Sequence, residues 1–328
     1  MHMLPVVSGI MSLRWESLRS EDVGAWAALV DAAEIVDKTG ERYDAGDLAE
    51  QLGDSLVDVE GGTRAVWDGD VLVAVGLLRC GPSGDPSHRM FFEGVAHPAY
   101  RRRGVGRELT RWALQTAPRL SEARYPGRPV ELHVDVSERN PGKAALFEHE
   151  GYTPQRWFFV MRRDLADDVP DVAIPEGIRV TGFDFAYDAE ARDVRNESFA
   201  DNWGSARQTE ESWRQGYTGT RSFRPDLSFL AIADAQVAAI LLTHYFEADT
   251  VATGHREAWI STIGTLRAWR KRGVAGALMR ATLTEAKTQG FSRVMLVVDT
   301  DNPTGALSLY RAAGFVEEHK HSRYVREF

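Results

Sequence analysis

Two short stretches gather the groups best able to hold an anion. One is "YRRRGVGREL", with Arg101, Arg102, Arg103, Gly104, Val105 and Gly106. The other is "WRKRGVAGAL", with Arg270, Lys271, Arg272, Gly273, Val274 and Ala275. Each runs into an amphipathic, helix-like segment. The first N–H groups of a helix lack intrahelical partners, and the helix dipole leaves partial positive charge beside them. A helix start of this kind takes phosphate readily. The glycines let an anion approach the backbone, and the arginines add charge. No Gly-Lys-Ser/Thr follows, which excludes a P-loop. No Gly-x-Gly-x-x-Gly is present, which excludes a dinucleotide fingerprint. Taken alone, the pattern also fits an ordinary helix start with solvated arginines.

The chain around these basic turns is acidic, with a formal net charge of −9 over 328 residues. Nonspecific nucleic-acid binding depends on phosphate neutralisation by lysine and arginine, so the balance argues against a nucleic-acid partner. The basic turns then serve something small and anionic. Cys80 is the only cysteine, so no intrachain disulfide forms, and a reducing cytoplasm is the expected compartment. At the end of the apolar run "LLRC" it reads as a buried strand residue rather than a nucleophile. No run of about 18 apolar residues is present, and no membrane span is expected.

The elements that would position the turns occur twice. A chain of this length suits two domains of roughly 150 residues each. Each half opens with a short strand and a helix, "LRWESL" and "DVGAWAALVDAAEIV" against "GIRVTGF" and "DAEARDVRNESFA". A second short helix follows, "AGDLAEQL" or "TEESWRQG". Paired β-runs come next, "TRAVWDGDVLVAVGLLRC" and "LSFLAIADAQVAAILLTHYF", each broken by a polar link that reads as a hairpin. A third strand, "RMFFEGVAH" or "AWISTIGTL", leads into the basic turn and its helix. A further strand, "VELHVDVS" or "RVMLVVDT", precedes an Asn-Pro helix ending at Gly151 or Gly314. Strand-like segments, "WFFVMRRDL" and "SRYVREF", close each half. The expected fold class is therefore α+β, two tandem domains each with a mixed, mostly antiparallel sheet flanked by helices. Residues 1–11 read as a disordered tail, 12–165 as the first domain and 178–328 as the second. Between them, the acids and prolines of 166–177 read as a linker.

Strand, basic turn, helix, strand and Asn-Pro helix in this order, twice, resemble the GNAT superfamily of acetyl-CoA-dependent N-acetyltransferases. The family's pyrophosphate loop, Arg/Gln-x-x-Gly-x-Gly/Ala, matches Arg101, Gly104 and Gly106, and again Arg270, Gly273 and Ala275. A later signature of Asn, an aromatic, then Gly and Phe/Tyr matches Asn140, Phe147, Gly151 and Tyr152. It recurs as Asn302, Tyr310, Gly314 and Phe315. The resemblance implies that acetyl-CoA (CoA) is the cofactor, its pyrophosphate seated on the two helix starts. The pantetheine arm would lie against the splayed strand ends at Val95–Ala96 and Ile263–Thr265, with Gly264 between. A backbone N–H there would hold the oxyanion formed during acyl transfer.

In this family a tyrosine on the Asn-started helix commonly protonates the leaving thiolate. Tyr310 occupies that position in the second half, and Phe147, with no proton to give, in the first. The family's base is often a glutamate eleven residues ahead of the loop's first residue. That position is Met90 in the first half and Trp259 in the second. Glu257, in strand phase with Trp259, stands as a displaced base, with His255 competing. The interval from Asn302 to Tyr310 is one residue longer than that from Asn140 to Phe147, an extra residue expected to lie before the helix settles. The second domain is thus expected to be catalytic and the first to be degenerate, holding a CoA at most.

The resemblance further places the acceptor, a small-molecule amine, by the first two helices and their connection, "FADNWGSARQTEESW", with Asp201, Asn202, Trp203, Glu210 and Glu211. One acceptor within the family is the cysteinyl amine of a glucosamine–inositol conjugate; aminoglycosides, polyamines and peptide N-termini stay open. A rival reading is a noncatalytic acyl-CoA-binding regulatory module. The oligomeric state is open, a monomer sufficing if the tandem domains pack on one another.

Overall fold

In the computed structural model, residues 12–40, 42–83, 85–302 and 305–328 are described. The tail read over 1–11, and Pro303 of the second Asn-Pro pair, lie outside them. The chain forms two compact units. Unit 1 holds the described residues up to Gln155 together with Ser322–Phe328, and unit 2 holds Arg156–His321.

Unit 1 runs β1 (Arg14–Glu16), α1 (Val23–Asp37), α2 (Ala45–Leu52), β2 (Thr63–Asp68), β3 (Val71–Cys80), β4 (His88–Ala96), α3 (Val105–Arg124), β5 (Val130–Ser137) and α4 (Pro141–His149). Unit 2 repeats the layout with β7 (Arg179–Gly182), α5 (Asp188–Ser198), α6 (Glu210–Trp213), β8 (Phe229–Ala233), β9 (Gln236–Tyr245), β10 (Glu257–Thr265), α8 (Val274–Thr288), β11 (Arg293–Asp299) and α9 (Ala306–Ala312). A further helix, α7 (Glu247–Thr253), precedes β10 in unit 2 and has no counterpart in the sequence reading. Each half ends in one long strand, β6 (Thr153–Asp164) and β12 (Val316–Glu327), each starting ahead of the segment read from the sequence.

β1 to β4 pair antiparallel in succession, as do β7 to β10 and β6 with β11, whereas β4 with β5 and β10 with β11 are parallel. Those two parallel pairings stop early. β4 pairs with β5 only over His88–Phe91, and β10 with β11 only over Glu257–Ile260. Past these points the strands part, and each opening faces the helix that follows. One face of the unit 1 sheet packs on Val105, Leu109, Ala113 and Ala117 of α3, a four-residue spacing that puts them on one helical stripe. In unit 2, Val274, Leu278, Met279 and Leu283 of α8 play the same part against Ala258 and Ile260. The opposite faces are closed by α1 and α2 at Trp26, Leu29 and Leu48, and by α5 and α6 at Ala191, Val194 and Trp213.

The strand ends are exchanged relative to the sequence reading, which closed the first half at residue 165. From Arg156 onward β6 belongs to unit 2, where it pairs with β11 from Phe158↔Asp299 to Asp164↔Arg293. Met161 and Leu165 lie in the core of that unit. The last residues of β12 belong to unit 1, where Tyr324 joins the core and the Phe328 N–H donates to the Val130 carbonyl. Both strands alternate similarly, so either could fill either place; the pattern fixes a strand's faces and leaves its partner open.

β4 and β10, the equivalent strands of the two units, differ at one residue. β4 pairs with β3 without interruption from Met90 to Ala96. In β10 the register with β9 slips between Ile260 and Thr262, which makes Ser261 a bulge. Bulges bend a strand and re-aim what it carries, and they gather beside active sites.

Candidate active site

Each glycine turn alternates backbone hands. Arg102 has φ 61° and Gly104 φ 93°; Lys271 has φ 59° and Gly273 φ 85°. Left-handed residues two apart make successive N–H groups converge, a concavity suited to an anion. Glycine takes this conformation without cost, but for arginine or lysine it is strained by roughly 1 kcal/mol or more. Gly104 and Gly273 are the N-caps of α3 and α8, and neither helix start receives a side-chain cap. The first-turn N–H groups are thus available to a ligand, and α8 has no acidic residue in that turn. Arg102, Arg103, Lys271 and Arg272 are exposed. Arg103 leans over the Tyr100 ring and Arg272 over the Trp269 ring. The residues present fit a pyrophosphate.

Arg101 and Arg270 hold the turn. Arg101 Nε donates to the Ala96 carbonyl at 3.1 Å, and its two terminal nitrogens grip Asp37 at 2.6 and 2.8 Å. Arg270 Nε donates to the Thr265 carbonyl at 3.1 Å, and Nη2 donates to the Ser198 carbonyl at 3.0 Å. These bonds place the two side chains against the strand end and the first helix, beside the turn on which the cofactor's pyrophosphate is expected.

The strand ends meant for the pantetheine arm lie where expected. Val95 and Ala96 are the last residues of β4, and Ile263, Gly264 and Thr265 the last of β10, beyond the points where parallel pairing stops. Gly264 packs close to the end of α5, where an added Cβ would oblige the Ser198 hydroxyl to rotate away.

Asn140 caps α4, its side chain accepting from the Lys143 N–H at 3.0 Å. The helix after Asn302, α9, begins only at Ala306 with Gly305 as N-cap at φ 77°, so the extra residue of the second half does lie ahead of the helix. Tyr310 is 6 % exposed and meets Phe315 edge-on at 6.1 Å. Burial pushes its phenol well above the usual tyrosine range. In unit 1 the two aromatics trade chemistry: Phe147 stands where Tyr310 does, and Tyr152, where Phe315 does, packs edge-on against it at 5.0 Å. Tyr152 Oη is buried without a hydrogen-bond partner.

Glu257 opens β10, six residues from Ile263, or about 20 Å of extended strand. Its carboxylate accepts from Arg293 Nη1 at 3.1 Å. A group so placed supports the strand pair rather than the opening. His255 lies outside the strand, its N–H bound to Thr253 Oγ1.

Of the acceptor residues, Asp201 pairs with Arg267, while Glu210 and Glu211 are exposed in the first turn of α6. Trp203 lies under the guanidinium of Arg156, 5.5 Å away. Arg156 itself is 3.2 Å from Asp299 and 3.1 Å from Asp301 at the carboxyl end of β11. Two positions along that strand, Val297 is 46 % exposed, an open apolar floor. Sequence reasoning missed Arg156, Asp299 and Asp301, since the charged residues are distant in the chain and Arg156 was read with the other half.

The acetyltransferase (GNAT) family matches residues 25–152 and 189–315. The chain is 30% identical to the mycothiol acetyltransferase of Parafrankia sp. (strain EAN1pec), covering 93% of this chain and 95% of that protein. It is also 30% identical to the mycothiol acetyltransferase of Tsukamurella paurometabola, at 93% and 96% coverage. Among solved structures, a GCN5-related N-acetyltransferase from Sphaerobacter thermophilus superposes with a TM-score of 0.75 at 23% identity, covering 98% and 97% of the two chains. A tandem GNAT protein from the clavulanic acid biosynthesis pathway gives 0.68 at 21% identity, covering 96% and 98%.

Proposed function

The chain belongs to the acetyltransferase (GNAT) family, and we propose that its second unit carries out the acetyl transfer to a primary amine of a small molecule. Acetyl-CoA supplies an activated acetyl thioester. The turn from Lys271 to Ala275 seats the pyrophosphate, and a backbone N–H at the end of β10, within Ile263–Thr265, donates to the thioester oxygen, a fixed donor of the kind that contributes most to acyl transfer. Tyr310, kept neutral by burial, gives its proton to the departing thiolate. The observation that carries this reading is the Ser261 bulge in β10, in the same unit as Tyr310 and absent from β4.

Unit 1 offers a phosphate seat at Arg102–Gly106, with Phe147 where the acid would be and no bulge in β4, so it is read as a CoA holder at most. Trp203, Asp299 and Arg156 line the side from which an amine would enter. The mycothiol acetyltransferase relatives favour one acceptor among the amines, the cysteinyl conjugate described above. Cytoplasmic location is part of the same proposal.

Thiol release from acetyl-CoA, measured against a panel of small amines with the cysteinyl conjugate included, tests the reading. Turnover with an amine, slowed about 10²-fold by Tyr310→Phe, is expected for a general acid. Tight CoA binding with no acetylation of any amine would favour the regulatory module instead.

A further inference from the structure

The segment 166–177 has neither helix nor strand, as its composition predicts, yet it is packed along α8. At its start the Asp167 carbonyl accepts from Lys287 Nζ, in the last turn of α8, at 2.9 Å. In its middle the Val172 carbonyl accepts from Arg280 Nη1 at 3.0 Å, and Asp171 is 3.2 Å from the same guanidinium. At its end Pro175 Cγ lies 3.6 Å from where a Cβ on Gly273 would be. The segment therefore runs antiparallel to the helix from its last turn to the phosphate turn.

Val172 fills the gap that Gly276 leaves. Its Cγ1 lies 3.3 Å from the Cβ that Gly276 lacks, and the same point is 3.9 Å from Leu309 Cδ1 of α9. Unit 1 has Arg107 at the position equivalent to Gly276, and its cofactor helix meets α4 one residue earlier, where a Cβ on Gly106 would lie 3.3 Å from Leu146 Cδ2. In unit 2 the first turn of α8 therefore has two neighbours at Gly276, Val172 of the segment and Leu309 of α9.

We propose that Val172 and Pro175 are positioning residues for CoA in unit 2. They fix the first turn of α8, and with it the converging N–H groups of Lys271–Ala275, at a set distance from α9. The left-handed backbone at Lys271 persists only where its surroundings over-determine it, and Pro175 against Gly273 is such a constraint. Donors held in place before the ligand arrives bind it more tightly than donors that must be ordered on binding. This inference rests on the reading that unit 2 holds acetyl-CoA for turnover.

The test uses the full chain, with acetyl-CoA kinetics and CoA titrated by calorimetry. Val172→Ala is expected to raise the KM for acetyl-CoA and weaken CoA binding about tenfold, with kcat and the KM for the amine within twofold. Gly276→Ala in the Val172→Ala background is expected to restore most of the loss, the added methyl occupying the vacated space. Gly276→Ala alone is expected to weaken CoA, since its Cβ would crowd Val172. Unchanged CoA binding in Val172→Ala, tighter binding, or an equal fall in kcat and in amine affinity would overturn the proposal. A wild-type chain that binds CoA and acetylates no amine would sink the catalytic reading alone, and the calorimetric arm would still decide this one.

Discussion

Arg101 and Asp37 are joined by two hydrogen bonds, of 2.6 and 2.8 Å, which tie the start of the first glycine turn to the end of α1. Asp37 is 15 % exposed and Arg101 27 %. Hydrogen bonds between charged groups of this exposure contribute about 1–3 kcal/mol. Arg101→Ala and Asp37→Ala are each expected to lower unfolding stability by about that much, and the double variant by little more than either. Turnover should be largely kept, because the seat it supports is in unit 1. Charge reversal at Arg101 and Arg103 that cost as much activity as Arg270→Glu would overturn the division of labour between the units.

Tyr310 sets a limit on the alkaline side of the rate profile. Its pKa is raised by burial, so the protonated, acid-competent form persists above the ordinary tyrosine value of 10.0. The kcat of the wild type should therefore stay level up to about pH 10 on account of this group. A kcat that fell with an apparent pKa near 8, and lost that limb in Tyr310→Phe, would mean that the phenol is not held as described. The same shift predicts alkaline destabilisation: unfolded tyrosine ionises first, so stability present below pH 10 is lost above it.

Placing the missing acid in unit 1 should not awaken it. Phe147→Tyr supplies a phenol at the position equivalent to Tyr310, in an edge-on stack with Tyr152. β4 still lacks the bulge that β10 has at Ser261, so its strand end is not re-aimed. In a Tyr310→Phe background, Phe147→Tyr is expected to leave the residual rate within about twofold, since proton transfer helps only where the reacting atoms are in reach. Recovery of even a tenth of wild-type kcat in that background would show that the bulge is dispensable.

His133 predicts an acid limb in stability. Burial above all, offset in part by a 2.9 Å bond to Glu131, pulls its pKa from 6.5 down to about 4. The unfolded chain binds the proton more tightly, so stability is fully present above about pH 6.5 and is lost as pH falls toward 4. The shift corresponds to a loss on the order of 3 kcal/mol across that window. Urea unfolding at pH 7, 5.5 and 4.5 should follow this slope, and His133→Gln should flatten it. An unchanged slope in the variant would assign the acid limb to other groups.

Much of the fold was legible because it depends on local pattern. The four-residue spacing of Val105, Leu109, Ala113 and Ala117 announces the cofactor helix, and the glycine turns announce their own left-handed backbone. The repeat of strand, turn, helix and Asn-started helix identifies the family from the chain alone. The substitution of Phe147 for tyrosine was equally visible, so the asymmetry of the halves was readable before any coordinates.

What the tertiary structure decided is everything that depends on partners distant in sequence. Strand periodicity fixes faces and leaves neighbours free, so only the structure gives β6 to unit 2 and the end of β12 to unit 1. For the same reason Arg156 reaches Trp203, Asp299 and Asp301, a cluster assembled from three separate segments. The loop arginines looked like phosphate ligands because charge is legible in sequence; that Arg101 and Arg270 hold backbone and Asp37 was decided by the fold, which sets a guanidinium's reach. The segment 166–177 read as a free linker since it has no period of its own. Its order comes from α8, whose Gly276 leaves the space that Val172 fills.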